Sequence, residues 1–178
     1  MRATFLMLLL MVGIACARTQ DHPSAKAGTW RSATDKELRN LLPARAPVEK
    51  ERIEIEMRTA SGITNGNGSF VAGVVLITAG YSAEGKYSHF FVTQVPLEVG
   101  TVSLAPGDYV FGYRRSNDAL EVTFYTAASG KDIGKVEAKL ENRKGKIQSF
   151  RITPSGDKGV IELGRFVMPY RVTARAQH

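Results

Sequence analysis

The sequence predicts an all-β fold: an antiparallel β-sandwich of about eight or nine strands with one short N-terminal helix, or, as the alternative, an up-and-down β-barrel of the same strands. Three observations carry this expectation. In Arg52-Ile53-Glu54-Ile55-Glu56-Met57-Arg58 apolar and charged side chains alternate strictly, the period of a strand with one face in a core and one in water. Turn-forming clusters recur at a spacing of about ten to fifteen residues. No run of strand, helix and strand appears that would build a parallel βαβ unit.

Residues 1–17 read as an export signal. Arg2 supplies the positive end, Phe5 to Ile14 form a short apolar run, and Ala15-Cys16-Ala17 matches an A-x-A cleavage site. A membrane span needs roughly 20 apolar residues, which this run lacks. The expected localisation is periplasmic or extracellular. A second reading takes Gly13-Ile14-Ala15-Cys16 as a lipobox, with Cys16 lipidated and the protein a membrane-anchored lipoprotein. Cys16 is the single cysteine of the 178 residues, so no intramolecular disulfide can form and the core alone must hold the fold.

Residues 18–33 are small and polar and suggest a flexible lead segment, in which Trp30 is the one large apolar side chain, suited to capping a core edge. A single β-rich domain is expected over residues 34–178. Thr34 and Glu37 stand at capping-box spacing with Asp35 between them. Leu38, Leu41 and Leu42 then form an apolar stripe that Pro43 ends, a helix too short to persist unless it docks.

One-sided strands are expected at 51–58, at Leu120, Val122 and Phe124, and at Val136, Ala138 and Leu140, where Lys135, Glu137, Lys139 and Glu141 face water. Phe70 to Thr78 is almost continuously apolar, the pattern of a central strand covered on both faces. Runs 87–95, 109–113, 147–152 and 160–172 complete the set. Asn65-Gly66-Asn67-Gly68, Ser116-Asn117-Asp118, Ser129-Gly130, Asn142 to Gly145 and Ser155-Gly156-Asp157 supply turns. A bulge near Gln148 or Ser149 would bring Ile147, Phe150 and Ile152 to one face, and Gly164 would bend or split the last run. Pro169 places that strand at an edge or at its end, where Arg165 and Arg171 would guard it.

Val102-x-Leu104-x-Pro106-Gly107-x-Tyr109 predicts a tight corner, with positive φ at Gly107 and the Tyr109 ring in the core, its hydroxyl on a backbone acceptor. The motif, with Val122-x-Phe124-Tyr125 and Gly130-Lys131-x-Ile133-Gly134 after it, resembles small secreted bacterial β-domains of transthyretin-like or carboxypeptidase-regulatory-like type over residues 100–140. That resemblance implies a non-catalytic module and carries no functional residue with it.

Catalytic chemistry is represented mainly by absences. His22 and His178 fall near the ends, and His89 lies in a strand without an evident acid-base partner. Neither H-E-x-x-H, a cysteine-rich zinc pattern, nor a G-x-S-x-G elbow occurs, so no metal and no cofactor is expected. Asp108, Asp118, Glu98 and Glu121 could in principle supply a glycosidase pair, though each has an ordinary place in a turn or on a solvated strand face. Asn65, Asn67 and Ser69 alternate like calcium ligands but lack acidic charge.

The chain carries 24 Lys and Arg against 17 Asp and Glu, a net +7; loss of Arg2 with the leader leaves 23 against 17, or +6. The basic-patch candidates are Arg114, Arg115, Arg143, Lys144 and Lys146, suited to an anionic envelope component or an acidic protein. Nucleic acid is not expected, since no basic stripe is interleaved with exposed aromatics. A membrane enters only through a lipidated Cys16. Tyr109, Phe111 and Tyr113 share one strand face, so all three are expected in the core. The expected function is an exported, non-catalytic binding or structural module of the cell envelope; the alternatives are a lipocalin-like carrier of a small apolar ligand and a carboxylate-pair hydrolase.

Overall fold

The computed structural model describes residues 29–142 and 145–173. The leader, most of the lead segment, Arg143, Lys144 and His178 lie outside the described residues. In chain order the elements are β1 (Arg31–Ser32), α1 (Asp35–Leu41), β2 (Arg45–Val48), β3 (Glu51–Thr64), β4 (Phe70–Ile77), β5 (His89–Thr93), β6 (Leu97–Val99) and β7 (Val102–Leu104). They continue with β8 (Gly107–Ser116), β9 (Ala119–Thr126), β10 (Asp132–Leu140), β11 (Gln148–Ser155), β12 (Lys158–Gly164) and β13 (Phe166–Val172). Thirteen strands replace the eight or nine expected, because β1, β2, β6 and β7 are two to four residues long, too short to show a period.

All pairings among the described residues are antiparallel and belong to one sheet, ordered β1-β3-β4-β5-β8-β9-β10-β13-β12-β11. The two ends of this order meet where β11 packs against β3, so the sheet curls nearly closed into a barrel. No ladder joins β3 to β11. The seam is held instead by the Ile152 N–H donating to Ser61 Oγ at 2.9 Å, and by Phe150, whose ring reaches across to Gly73. A Cβ at Gly73 would stand 2.7 Å from Cζ of Phe150, so the ring occupies the space that β4 leaves by lacking a side chain.

Two cores lie on opposite faces of this sheet. The inner one includes Ile63, Val71, Phe91, Phe111, Phe124 and Ile152. The outer one, on β3, β4, β5 and β8, gathers Ile53, Val74, Phe90 and Val110 beneath Leu38 and Leu42 of the helix region, Ala46 and Val48 of β2, and Tyr87 of the loop before β5. β4 and β5 are therefore apolar on both sides, which is why Phe70 to Thr78 shows no alternation. β3 serves both cores by changing face. Between Glu56↔Val75 and Ser61↔Gly73 it advances five residues while β4 advances two, so Ile55 stands beside outer Leu76 and Ile63 beside inner Val71. Thr59 pins this bulge, accepting from Val75 N at 3.0 Å and donating to Glu56 O at 2.7 Å.

The helix start forms as its sequence indicates. Thr34 and Glu37 make the reciprocal capping box, and Leu38 and Leu42 are buried on the outer face of the sheet, each side chain contributing roughly 1.5–3 kcal/mol of apolar burial. Arg31 bonds both Glu37 carboxylate oxygens, at 2.7 and 3.0 Å, and with the Thr34 N–H and hydroxyl holds that carboxyl down to about 2. Arg31 and Ser32 pair with Thr64 and Ile63, and Trp30 packs on the inner core. The ordered domain thus reaches back into what sequence suggested was a flexible lead.

Other expectations are corrected. Pro169 does not mark an edge: β13 pairs β10 through Phe166 and Val167, then β6 through Tyr170, Arg171 and Val172. Proline, with no N–H to give, falls in the gap between these ladders, and its carbonyl accepts from Gly100 N. Beyond that gap β10 and β13 diverge, and the β6–β7 hairpin fills the wedge, with Leu97, Val99, Val102 and Leu104 all in the inner core. Arg171 lies opposite Glu98 and Lys158 inside the sheet, so it guards no edge. Gly164 splits the last run into β12 and β13, with φ +62. The β11 register does shift between Gln148 and Arg151, but Ile147 precedes the strand and stays exposed. Tyr109 donates its hydroxyl to Ala105 O at 2.7 Å from a buried ring, while Gly107 is extended as the first residue of β8 and not in the positive-φ region.

Removing the seam bond or filling the space at Gly73 tests how the barrel is held. Ser61→Ala is expected to cost about 1–2 kcal/mol by leaving the Ile152 N–H without its acceptor. Gly73→Ala should cost about 1–3 kcal/mol by displacing Phe150. Urea unfolding of both variants measures these losses, and values near zero for both would show that β11 is not held to β3 and β4 in this way.

Candidate functional site

Antiparallel order sends the turns after β4, β8, β10 and β12 to the same end of the barrel. That end collects side chains of two kinds. Four of the five exposed large apolar residues among the described ones stand there: Ile77 at the end of β4, Tyr113 on β8, Leu140 at the end of β10 and Ile147 before β11. Ile147 is 51% exposed and Tyr113 47%. Single exposed apolar residues are common on any surface; four at one end are a feature of that end.

Cations surround them. Arg114 lies opposite Glu121, which is itself tied to Lys135 at 2.8 Å across the β9–β10 pair. Arg115, on the inward parity of β8, has its guanidinium 5.8 Å from the centre of the Phe166 ring on β13, which brings the β8–β9 and β12–β13 turns together. Lys146 lines an open recess of about 330 Å³ with Arg151, Arg165, Glu141 and Glu162. The structure thus places Arg114, Arg115 and Lys146 on one rim, with Asn142 and Gly145 beside it. Arg143 and Lys144 lie outside the described residues. Asp118 and Glu141 share the rim, so it is mixed in charge rather than uniformly basic.

The rim also takes in Arg151, which the sequence does not single out, Arg165, which it suggests as an edge guard, and Leu140 and Ile147, which it places on core faces. The available signal for Leu140 and Ile147 is their position, since both flank the turn at Asn142 to Gly145. Tyr113 was expected in the core. It lies opposite Val122 of the inner core, but its ring stands at the open mouth, in the lining of the recess beside His89, and is 47% exposed.

Just inside this rim sits His89, 3% exposed, its ring stacked on Phe111 at 4.6 Å and 5.1 Å from the Phe150 ring. Nδ1 lies 2.8 Å from Ser88 Oγ, and that hydroxyl is 3.2 Å from the Phe111 carbonyl. A carbonyl only accepts, so both contacts are satisfied when the hydroxyl donates to Phe111 O and Nδ1–H donates to the hydroxyl. Nε2 is then a bare acceptor, and it has no partner. Burial alone drives the imidazole pKa from 6.5 down to about 3, so the ring is neutral at any ordinary pH.

Carboxylates do not converge. Asp108 and Asp118 lie at opposite ends of β8, about 30 Å of strand apart, Glu98 faces Arg171, and Glu121 is paired with Lys135. Asn65 is occupied by its own turn, Oδ1 accepting from Asn67 N and Ser69 N. Among the described residues no three His, Cys, Asp or Glu side chains could hold a metal. Comparison of the chain with protein-family models, with curated proteins and with solved structures finds no match in any of the three.

The buried imidazole has a consequence for stability. Below its ordinary pKa the unfolded chain binds a proton that the folded chain refuses, so stability contributed by neutral His89 is complete above about pH 6.5 and falls as the pH drops toward 3. Over pH 6.5 to 4.5, before most carboxylates titrate, the loss should be about 2–3 kcal/mol. In His89→Phe that slope should vanish. Equal slopes in the two proteins, measured by urea unfolding, would contradict the buried neutral ring.

Proposed function

We propose that the protein is a non-catalytic binding module, exported to the cell envelope, that meets an anionic surface through the apolar and basic rim of its barrel. The observation that carries this reading is the concentration of Ile77, Tyr113, Leu140 and Ile147 at the end that also holds Arg114, Arg115, Lys146 and Arg165. Apolar side chains amid cations suit an interface where headgroups are negative and the layer beneath them is not wet. The separated carboxylates favour a binding role over hydrolysis. The inner core is closely filled with aliphatic and aromatic side chains, which favours contact at the surface over a carrier with an interior ligand. An export signal, or lipidation at Cys16, would bring such a rim to the membrane face it needs.

Co-sedimentation with vesicles tests the reading. The chain from Arg18 onward should bind phosphatidylglycerol vesicles, bind phosphatidylcholine vesicles weakly, and lose binding as salt is raised. Arg115→Ala and Lys146→Ala should each weaken partition about fivefold, the worth of one cation near an anionic surface, and Ile147→Ser should weaken it independently of salt. Equal binding to both vesicle types, or none to either, would overturn the proposal.

A further inference from the structure

The recess at the barrel mouth beside His89 shares only Tyr113 with the surface-attachment rim. It is about 340 Å³ in volume and is bounded by the end of β4 at Val75 and Thr78, by the backbone of the loop at Gly85 to Ser88, and by Tyr113 and Ser149. Its shape depends on Gly112, since a Cβ there would stand 2.1 Å from the Lys86 carbonyl oxygen. The loop therefore lies directly on the β8 backbone, in an approach only glycine allows, and a wall of the recess is fixed by it.

Inside this wall the chemistry is unusual in one respect. Every other nitrogen and oxygen buried in side chains among the described residues has a hydrogen-bond partner, and Nε2 of His89 has none. Leaving a buried acceptor unpaired is costly, and Phe, Leu or Val would fill the same layer without that cost. The aromatic neighbours Phe111, Phe150 and Tyr113 surround the imidazole at centroid distances of 4.6, 5.1 and 6.2 Å. Of these Tyr113 is half exposed and lines the recess, while Phe111 and Phe150 are buried and lie outside its lining. A recess with Val75 and Tyr113 in its wall and the His89 imidazole in its lining has the parts of a small-ligand site: apolar surface for affinity and an unpaired acceptor for orientation.

We propose that this recess binds a small uncharged ring compound bearing one hydroxyl or N–H, which donates to Nε2 of His89 while its ring packs against Tyr113 and Val75. An anionic ligand is disfavoured because Lys86, the cation in the recess lining, is already engaged by Glu49 at 3.1 Å and lies over the Tyr87 and Tyr125 rings. The inference shares Tyr113 with the rim but needs none of its cations and none of Ile77, Leu140 and Ile147.

The chain has three histidines, so its imidazole nitrogens are readily resolved by proton–nitrogen correlation on protein carrying 15N-labelled histidine. Phenol and toluene serve as probes of equal ring size, one with a donor and one without. Phenol should move the His89 Nε2 resonance upfield, the direction of an acceptor gaining a hydrogen bond, and should bind about tenfold more tightly than toluene, a ratio that one such bond supports. His89→Phe should bind the two alike. A wild-type Nε2 resonance that ignores saturating phenol would overturn the proposal, including the case in which the nitrogen is held by water alone, and so would equal affinity for phenol and toluene. The wild-type titration decides the matter even if His89→Phe fails to fold.

Discussion

A single run of strands here has to shield two apolar cores on opposite faces of one sheet, and the bulge between Glu56 and Ser61 is what lets β3 do so. Side chains on a strand alternate with a period of two, so without an odd offset Ile53 and Ile63 would share a face. With it, the first half of β3 closes the outer core under the helix and β2, and the second half closes the barrel interior. The pleat of β4 and β5 needs no such device, because both strands are apolar on both sides. The helix and β2 follow from this arrangement: they exist to cover a sheet face that would otherwise be exposed.

The other economy is at the seam. β11 meets β3 without a ladder, relying on Ser61 and on the Phe150 ring over Gly73. Phe150 also lies near His89 and Phe111, so the closure of the barrel and the shape of its mouth depend on the same ring. Function, on our proposal, lives at that mouth, where Tyr113, Leu140 and Ile147 stand in solvent among arginines and lysines.

Much of the fold is legible from residues. The capping box at Thr34 and Glu37, the doubly covered Phe70 to Thr78, the Tyr109 hydroxyl on a backbone carbonyl and the break at Gly164 all follow from local chemistry that the tertiary structure does not override. What was hidden depends on pairing between distant segments. Pro169 looked like an edge marker because a proline breaks one ladder; that two ladders could end on either side of it is invisible without knowing that β6 and β10 share β13. The short strands β1, β2, β6 and β7 have no period to detect. The rim was half legible: Arg114, Arg115 and Lys146 stood out as turn cations, whereas Arg165 and Ile147 became members only when separate turns came together. His89 was legible as a packed residue but not as a buried acceptor, since that depends on Ser88 being committed to Phe111 O.

The face change in β3 is the claim on which both cores rest, and methyl NOE spectroscopy addresses it directly. Ile53 should show contacts to outer-core methyls such as Leu42 and Val74, and Ile63 to inner-core rings such as Phe91 or Phe150, with no partner in common. Shared NOE partners for Ile53 and Ile63 would mean that β3 keeps one face throughout, and the two-core account would be wrong.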